Sequence, residues 1–185
     1  MSGPVRLRLP EDIDELRALG IGTEVELSGP VFTARDATHA RLLEESRRTG
    51  ALPYGLAGQV IFYAGPTPPA AGRPAGAIGP TTAARMDAWA PELYRMGIAA
   101  TLGKGPRSEE VARACRSTGS VYLACVGGMA ALLATRVVSI EPVAYEELGP
   151  EALRRVVLDD FPAFVAIDAE GRDLFSAVRD RSGDG

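Results

Sequence analysis

The chain has 185 residues, a net charge of −4 and 46% hydrophobic residues, so it is long enough to bury a core as one domain and is not a disordered tail. Its 21 glycines and 14 prolines disfavour a simple helical bundle because both residue types interrupt helices. The acidic net charge predicts no general attraction to nucleic acid or to an anionic membrane surface.

Metal-binding side chains are scarce. His39 is the only histidine, and Cys115 and Cys125 are the only cysteines, so the chain by itself cannot supply the three or four soft ligands of a zinc or iron–sulfur site. The sequence also lacks a G-x-S-x-G motif, an apolar leader and an uninterrupted apolar run long enough to span a bilayer. We therefore expect a cytoplasmic protein without a membrane span and without a metal of its own.

The first half of the chain begins with segments that alternate apolar and polar residues, which is typical of half-buried strands. In chain order we predict a strand at 5–9, a short acidic helix at 11–19, strands at 23–28 and 31–33, a helix at 37–48 and a strand at 59–64. A loop rich in proline and glycine follows at 65–74. Two strands in quick succession predict a mainly β opening.

The second half alternates between helical and extended segments. We predict a helix over 83–96 that Pro91 interrupts, a strand at 98–102, a helix from Ser108 to about 117, a strand at 120–126, an apolar helix at 129–134, a strand at 137–140, a short helix at 151–155 and a strand at 164–168. Residues 176–185 are expected to form a frayed tail. No repeat or linker divides the chain, so residues 1–185 are predicted to be one mixed α/β domain.

Three segments share one pattern, in which a glycine or proline turn and cationic or hydroxyl side chains precede a helix. They are residues 28–39 (SGPVFTARDATH), 79–87 (GPTTAARMD) and 103–108 (GKGPRS). The first turn of a helix has unpaired N–H groups and a partial positive charge, which favour anions. Arg85 follows Thr81 by four residues and Thr82 by three, so the three side chains share a helix face. The pattern predicts a pocket for a small anion.

Any one of these motifs alone is more often structural than functional. The simpler roles are helix capping by Thr81 and Thr82, ion pairing of Arg35 with Asp36 or Asp87, solvation of Lys104 and packing of a neutral His39. Three such turns in one chain favour the pocket.

Nucleotide binding is the natural rival for turns rich in glycine. The pattern G-x-x-x-x-G-K-[ST] fails because Gly105 follows Lys104. The pattern G-x-G-x-x-G fails from Gly20 and from Gly103, since neither run ends in glycine. Neither P-loop nor dinucleotide binding is supported.

The motifs, in this order, resemble the class I fumarate hydratase family, specifically its C-terminal domain or separate β subunit, a group that includes the β subunit of L(+)-tartrate dehydratase. The matching segments are residues 27–39, 79–87, 103–108, 127–133 (GGMAALL), 145–152 (YEELGPEA) and 160–168 (DFPAFVAID). One position departs from the family, because Ala34 stands where a T-G-R-D core often has glycine.

The resemblance implies a three-layer swivelling β/β/α domain. It also implies a [4Fe-4S] cluster held by three cysteines of a partner, which would be a cysteine-bearing α subunit. The family leads us to expect an α2β2 hetero-oligomer. The implied reaction is reversible addition or removal of water on a short dicarboxylate. Carried onto this chain, Thr81 matches the proton-abstracting hydroxyl, Arg35, Arg85 and Lys104 hold carboxylates, and Thr82 and His39 complete the pocket.

Removing a proton beside a carboxylate requires that the developing negative charge be stabilised, which clustered cations and helix N–H groups can do. A free threonine is a poor base, so the cations must also stabilise the ionised form of Thr81. Two hypotheses follow: the β subunit of an iron–sulfur hydro-lyase, or a non-catalytic module that binds a dicarboxylate. The residues do not separate fumarate from tartrate. Lys104 is the only lysine among 20 basic residues, which indicates a need for a compact ammonium there.

Overall fold

The computed structural model describes residues 3–67, 72, 76–125 and 130–183 of the chain. The strands are β1 Val5–Arg8, β2 Glu24–Thr33, β3 Val60–Phe62, β4 Ala100–Gly103, β5 Val121–Ala124, β6 Val137–Ala144 and β7 Leu153–Ile167. The helices are α1 Ile13–Ala18, α2 Asp36–Thr49, α3 Ala90–Arg95, α4 Glu109–Thr118, α5 Ala130–Ala134 and α6 Leu174–Gly183. Short 3-10 segments lie at Ala83–Met86 and Glu146–Glu151.

The strands form one sheet in the order β1-β2-β3-β4-β5-β7-β6, and β2 also pairs with β7. Neighbours from β1 to β5 are parallel, whereas β7 is antiparallel to β2, β5 and β6. The β2–β7 pairing joins the two sides of the parallel strands, so β2, β3, β4, β5 and β7 form a closed ring. The two long strands change register between Leu27 and Gly29, which lets each half of β2 pair with a different parallel neighbour.

Alternate residues of the parallel strands enter two different cores. In β3, Val60 and Phe62 belong to a core made mainly of strand residues, whereas Ile61 and the adjoining Tyr63 pack against residues of α2, α3 and α4. All four side chains are fully buried. Burial on both faces explains why residues 59–64 are a continuous apolar run rather than an alternating one.

The mixed α/β class is confirmed, and most of the predicted elements are present. The two strands predicted at 23–28 and 31–33 form one strand, β2. The finer description as a three-layer swivelling domain stays a prediction. Within the described ranges, no helix is both long and apolar enough to cross a membrane.

The helix predicted at 151–155 is wrong, because β7 begins at Leu153. Leu153, Val156 and Leu158 are buried in β7, which pairs with β6 on one side and β2 on the other. These long-range pairings override the local helix preference of the segment. Pro150 instead lies in the preceding 3-10 segment.

Two further predicted segments lie partly outside the described residues. The segment expected to fray, 176–185, is helical in α6 as far as Gly183, and residues 184–185 lie outside the described chain. The apolar helix predicted at 129–134 is present as α5, Ala130–Ala134. Residues 126–129, which include the Gly127-Gly128 pair, are outside the described residues.

Candidate functional site

The three motifs meet where the parallel strands β2, β3 and β4 end. The Ala34 N–H at the end of β2 donates to the Phe62 carbonyl, at 3.1 Å, and the Thr81 N–H donates to the Tyr63 carbonyl, at 2.6 Å. Carboxyl ends of parallel strands share one edge of a sheet, where binding sites of open α/β folds commonly lie. Turns that are distant in sequence are thereby brought to one edge.

The second and third motifs are joined directly through their backbones. The Lys104 N–H donates to the Thr81 carbonyl at 3.2 Å, and the Ala83 N–H donates to the Lys104 carbonyl at 2.9 Å. Thr82 and Lys104 form a parallel bridge. These bonds hold the turn that bears Lys104 beside the turn that bears Thr81 and Thr82.

Gly103 permits this close approach. A Cβ atom at Gly103 would lie 2.9 Å from Cδ2 of Tyr63 and 3.0 Å from Cβ of Ala83. Contacts this short do not occur without movement of a neighbour, so a side chain at Gly103 would separate the two turns. The glycine before Lys104 is therefore a packing requirement of the site.

Arg85 is oriented by a carboxylate of the first motif. Its Nε and Nη2 lie 3.2 and 2.7 Å from the two carboxylate oxygens of Asp36, and about half of the Arg85 side chain is exposed. A guanidinium has five N–H groups in a fixed plane, so Asp36 takes one edge, and no residue in the described part of the chain bonds to Nη1. The sequence offered Asp36 as a partner for Arg35; in the structure Asp36 pairs with Arg85.

Arg35 lies at the N-terminal end of α2 and faces Glu151. Its Nη2 is 3.6 Å from a Glu151 oxygen, and the other Glu151 oxygen accepts the Ala37 N–H at 2.8 Å. Gly65 packs against the arginine, since a Cβ there would lie 3.1 Å from its Nη1. The predicted anion position at the start of α2 is thus taken by a carboxylate of the chain itself.

His39 does not reach the surface of the described chain. It is fully buried, its Nδ1 donates to the Arg35 carbonyl at 2.7 Å, and its ring meets Tyr63 edge to face with 5.2 Å between centroids. Burial lowers its pKa to about 4, so the ring is neutral near pH 7. The structure places His39 behind Arg35, where it supports that backbone, and its Nε2 has no hydrogen-bond partner among the described residues.

The remaining predicted residues lie at the open side of this edge. Thr81 and Lys104 are half-buried and Thr82 is exposed. Within the described ranges, the Thr82 hydroxyl makes no capping hydrogen bond. In the same ranges, Lys104 takes part in none of the ion pairs, in contrast to Arg35, Arg85 and Arg107. Lys104 therefore differs from Arg35 and Arg85, each of which faces a carboxylate.

Sequence reasoning missed Glu151 altogether, and it offered Asp87 to Arg35 whereas Asp87 pairs with Arg107. Glu151 occupies the start of α2, and Asp87 accepts the Ser108 N–H at the start of α4, at 2.7 Å. Both acids lie inside the segments that carry the family resemblance, 145–152 and 79–87. Their place in these segments was a signal that the two acids matter. Their partners could not be predicted, because these partners are distant in sequence.

The described residues do not fit an iron–sulfur cluster or another metal site. They contain no group of three or more His, Cys, Asp or Glu side chains that could hold a metal ion. Cys115 and Cys125 are buried, and burial raises the pKa of each thiol to about 12, whereas metal binding requires thiolates. No step of a reaction is therefore assigned to a metal held by this chain.

Comparison with known proteins identifies the family. A family model described as "Fumarase C-terminus" matches residues 2–178. The chain belongs to the Fumarase C-terminus family. This agrees with the resemblance of the six sequence segments.

The relatives of this family member include both long and short proteins. "Fumarate hydratase class I, anaerobic" of Escherichia coli is 39% identical over 172 residues, which are 92% of this chain and 31% of the relative. "Fumarate hydratase class I, aerobic" of Salmonella typhimurium is 38% identical over 173 residues, 92% of this chain and 30% of the relative. The chain thus spans less than a third of these enzymes.

A relative of similar length is the "Putative L(+)-tartrate dehydratase subunit beta" of Methanocaldococcus jannaschii. It is 35% identical over 170 residues, which cover 89% of this chain and 87% of the relative. The name of this relative implies an α partner for it.

Proposed function

We propose that this chain is the β subunit of a two-subunit hydro-lyase that reversibly adds or removes water on a short dicarboxylate, of the fumarate/malate or tartrate/oxaloacetate type. The observation that carries the proposal is the meeting of Thr81, Arg85 and Lys104 at one sheet edge, through the bonds between the Thr81 and Lys104 backbones. The family membership supports the reaction class.

Substrate binding is assigned to the cations of this edge. Lys104 offers an ammonium without a carboxylate partner among the described ion pairs, and Arg85 offers its Nη1 edge while Asp36 holds the other. Arg35 contributes once substrate competes with Glu151, whose contact is long at 3.6 Å. Two carboxylates separated by two carbons need two cationic positions, which these residues provide.

Proton abstraction is assigned to the Thr81 hydroxyl, with Thr82 beside it. The backbone of Thr81 is held on both sides, by Tyr63 and by Lys104, so its side chain starts from a fixed position. Lys104 and Arg85 stabilise negative charge that develops on the hydroxyl and on the substrate carboxylate. His39 has a supporting role here, through the Arg35 carbonyl, and not the direct contact with substrate that the sequence predicted.

We further propose that the cysteines of an α subunit carry a [4Fe-4S] cluster, which would supply a Lewis acid for the hydroxyl of the substrate. The chain described here would close over that subunit as a swivelling domain, and α2β2 is the assembly we expect. These proposals rest on the resemblance and on the scarcity of metal ligands in this chain.

The test is co-expression with a cysteine-bearing α subunit of the same family, anaerobic reconstitution of the cluster and assay of fumarate and L(+)-tartrate by absorbance. Turnover of either acid, absent from each subunit alone, is the expected result. An assembled protein with an intact cluster and no turnover of either acid would overturn the proposal. Saturable binding of the dicarboxylate without turnover would instead support a non-catalytic binding module.

A further inference from the structure

Arg107 is the most deeply buried cation near the site. Its side chain has no exposed surface, and its guanidinium carbon lies over two tyrosine rings, 5.2 Å from the Tyr63 centroid and 4.8 Å from the Tyr122 centroid. Contact with two aromatic rings restricts the orientation of a planar guanidinium. Arg107 therefore has less freedom than the exposed arginines of the chain.

The guanidinium is bound to the second motif. Its Nε donates to Asp87 at 2.6 Å, and the other Asp87 oxygen accepts the Ser108 N–H at 2.7 Å. Asp87 directly follows the 3-10 segment Ala83–Met86, which begins after Thr82. One carboxylate thus joins the end of the turn that carries Thr81 and Arg85 to the start of α4.

Arg107 is also connected, through Tyr122, to the turn that bears Lys104. Tyr122, on which Arg107 stacks, donates its hydroxyl to the Gly105 carbonyl at 2.9 Å. Gly105 is the residue after Lys104 and has φ of +79°. Arg107, Asp87 and Tyr122 therefore form a clamp that connects both turns, and we call these three residues the Arg107 clamp.

A buried ion pair is a poor source of stability, because removing both charges from water costs about as much as their attraction returns. Apolar residues of similar volume often stabilise a protein core at least as well as a buried ion pair. What apolar residues would not provide is a directional link between two backbone turns. The clamp therefore points to a need for fixed geometry.

We propose that Arg107 is a positioning residue for the reaction, which holds the turn bearing Lys104 at a fixed distance from the turn bearing Thr81 and Arg85. The inference rests on the proposed function of that site. Arg107 itself contacts Asp87, Thr101 and two tyrosines, and we assign it no contact with substrate. Its effect reaches the reaction through the placement of Thr81 relative to Lys104.

The test uses Arg107→Lys in the assembled two-subunit enzyme. Lysine keeps the charge but cannot stack as a plane or donate in a fork, so the turns lose their fixed separation. We expect kcat to fall on the order of 100-fold while KM changes by less than about fivefold, since misplacement impairs the reaction more than ground-state binding.

Two controls separate positioning from general destabilisation. Arg113→Lys changes an arginine of α4, 70% exposed and paired with Glu109, and should leave kcat and KM unchanged. Leu93→Ala removes a buried side chain of the same core and should lower Tm without lowering kcat per folded enzyme. A kcat for Arg107→Lys within threefold of wild type would overturn the proposal.

Hydrogen exchange gives a readout that does not depend on turnover. The amides of Ala83 and Lys104 make the bonds between the turns, and in Arg107→Lys they should exchange more than about tenfold faster, with the amides of α2 unchanged. If wild type has no turnover, the proposed function fails and this exchange pattern alone decides the role of Arg107. Unchanged exchange at both amides would refute it.

A second variant covers the case in which Arg107→Lys does not fold. Asp87→Asn keeps the shape of the side chain and removes the charge that binds Arg107 Nε. It should show the same selective increase in hydrogen exchange and the same fall in kcat with little change in KM. Failure to show either effect would count against the clamp.

Discussion

Arg85 and Asp36 form a two-point ion pair, with N···O distances of 3.2 and 2.7 Å, although 49 residues separate them. The pair joins the start of α2 to the 3-10 segment after Thr82 and sets the direction of the free guanidinium edge. Substrate binding by Arg85 therefore depends on a residue that makes no contact with substrate in our proposal.

Asp36→Asn should lower kcat/KM roughly tenfold, mainly through KM, because Arg85 loses the partner that orients it. The unfolding free energy should change by less than about 1 kcal/mol, since both side chains are partly exposed. Steady-state kinetics and urea denaturation measure the two effects. Glu92→Gln is the matched control, because it breaks a similar two-point pair with Arg47 on the surface and should leave kinetics unchanged. Equal effects of the two variants would contradict the role of Asp36.

Thr81→Ala should leave KM within a few-fold of wild type and lower kcat by roughly 10² to 10⁴, the usual contribution of a positioned proton acceptor. The reason is that the carboxylates are held by cations, whereas the hydroxyl acts on the reacting carbon. Steady-state kinetics of the assembled enzyme test this. Thr49→Ala, at the far end of α2, is the control and should have the kcat and KM of wild type. Near-full turnover of Thr81→Ala would remove Thr81 from the mechanism.

Lys104→Arg tests whether the only lysine is needed for its shape. The larger planar group should not fit beside the Thr81 turn, so kcat/KM should fall roughly tenfold or more, as expected when one charged hydrogen bond is lost. Arg113→Lys, a conservative exchange on the surface, serves as the control. Unimpaired kcat/KM in Lys104→Arg would show that charge alone suffices at this position.

His39 should make the protein less stable in acid. Its pKa is lowered from the ordinary 6.5 to about 4, mainly by burial and further by Arg107, against the opposing effect of its hydrogen bond to Arg35. The unfolded chain therefore binds a proton between these two pH values that the folded chain does not bind. As pH falls through this window, about 3 kcal/mol of unfolding free energy is lost on this account.

The measurement is urea denaturation of wild type and His39→Phe at several pH values from 7 to 4. Because the chain has a single histidine, the difference between the two pH profiles isolates His39. The variant should lose about 3 kcal/mol less than wild type over this range. Parallel profiles would mean that His39 titrates normally in the folded protein.

Gly103→Ala should separate the two turns. The new Cβ would lie 2.9 Å from Cδ2 of Tyr63 and 3.0 Å from Cβ of Ala83, and overpacking of this kind costs about 1–3 kcal/mol. Denaturation should show the loss of stability, and kcat should fall with it. Gly20→Ala, whose new Cβ would meet only the end of the Arg172 side chain at 3.8 Å, should change neither. A Gly103→Ala protein of wild-type stability would mean that the turns can separate freely.

The sequence alone predicted the class and most elements of the fold, because local signals were strong. Gly50, which follows the helix predicted at 37–48, ends α2 with left-handed backbone, and the apolar run at 59–64 marked a buried strand. It failed at 151–155, where a helix was predicted. The segment is a strand because it pairs with residues of β2 more than 120 positions earlier, and no local pattern records that pairing.

The candidate site divides in the same way. The sequence by itself determined the residue types: three turns with cations and hydroxyls, one lysine, one histidine and too few metal ligands. Tertiary structure decided the partners, placing Glu151 on the first turn of α2, Asp36 on Arg85 and Asp87 on Arg107. It also buried His39 and left Lys104 at the sheet edge. The physical reason is that burial and ion pairing depend on distances through space, which are set when β7 pairs with β2 and β5 and closes the ring of strands. Helix and strand propensity, turn formation and composition are instead properties of residues that are neighbours in sequence.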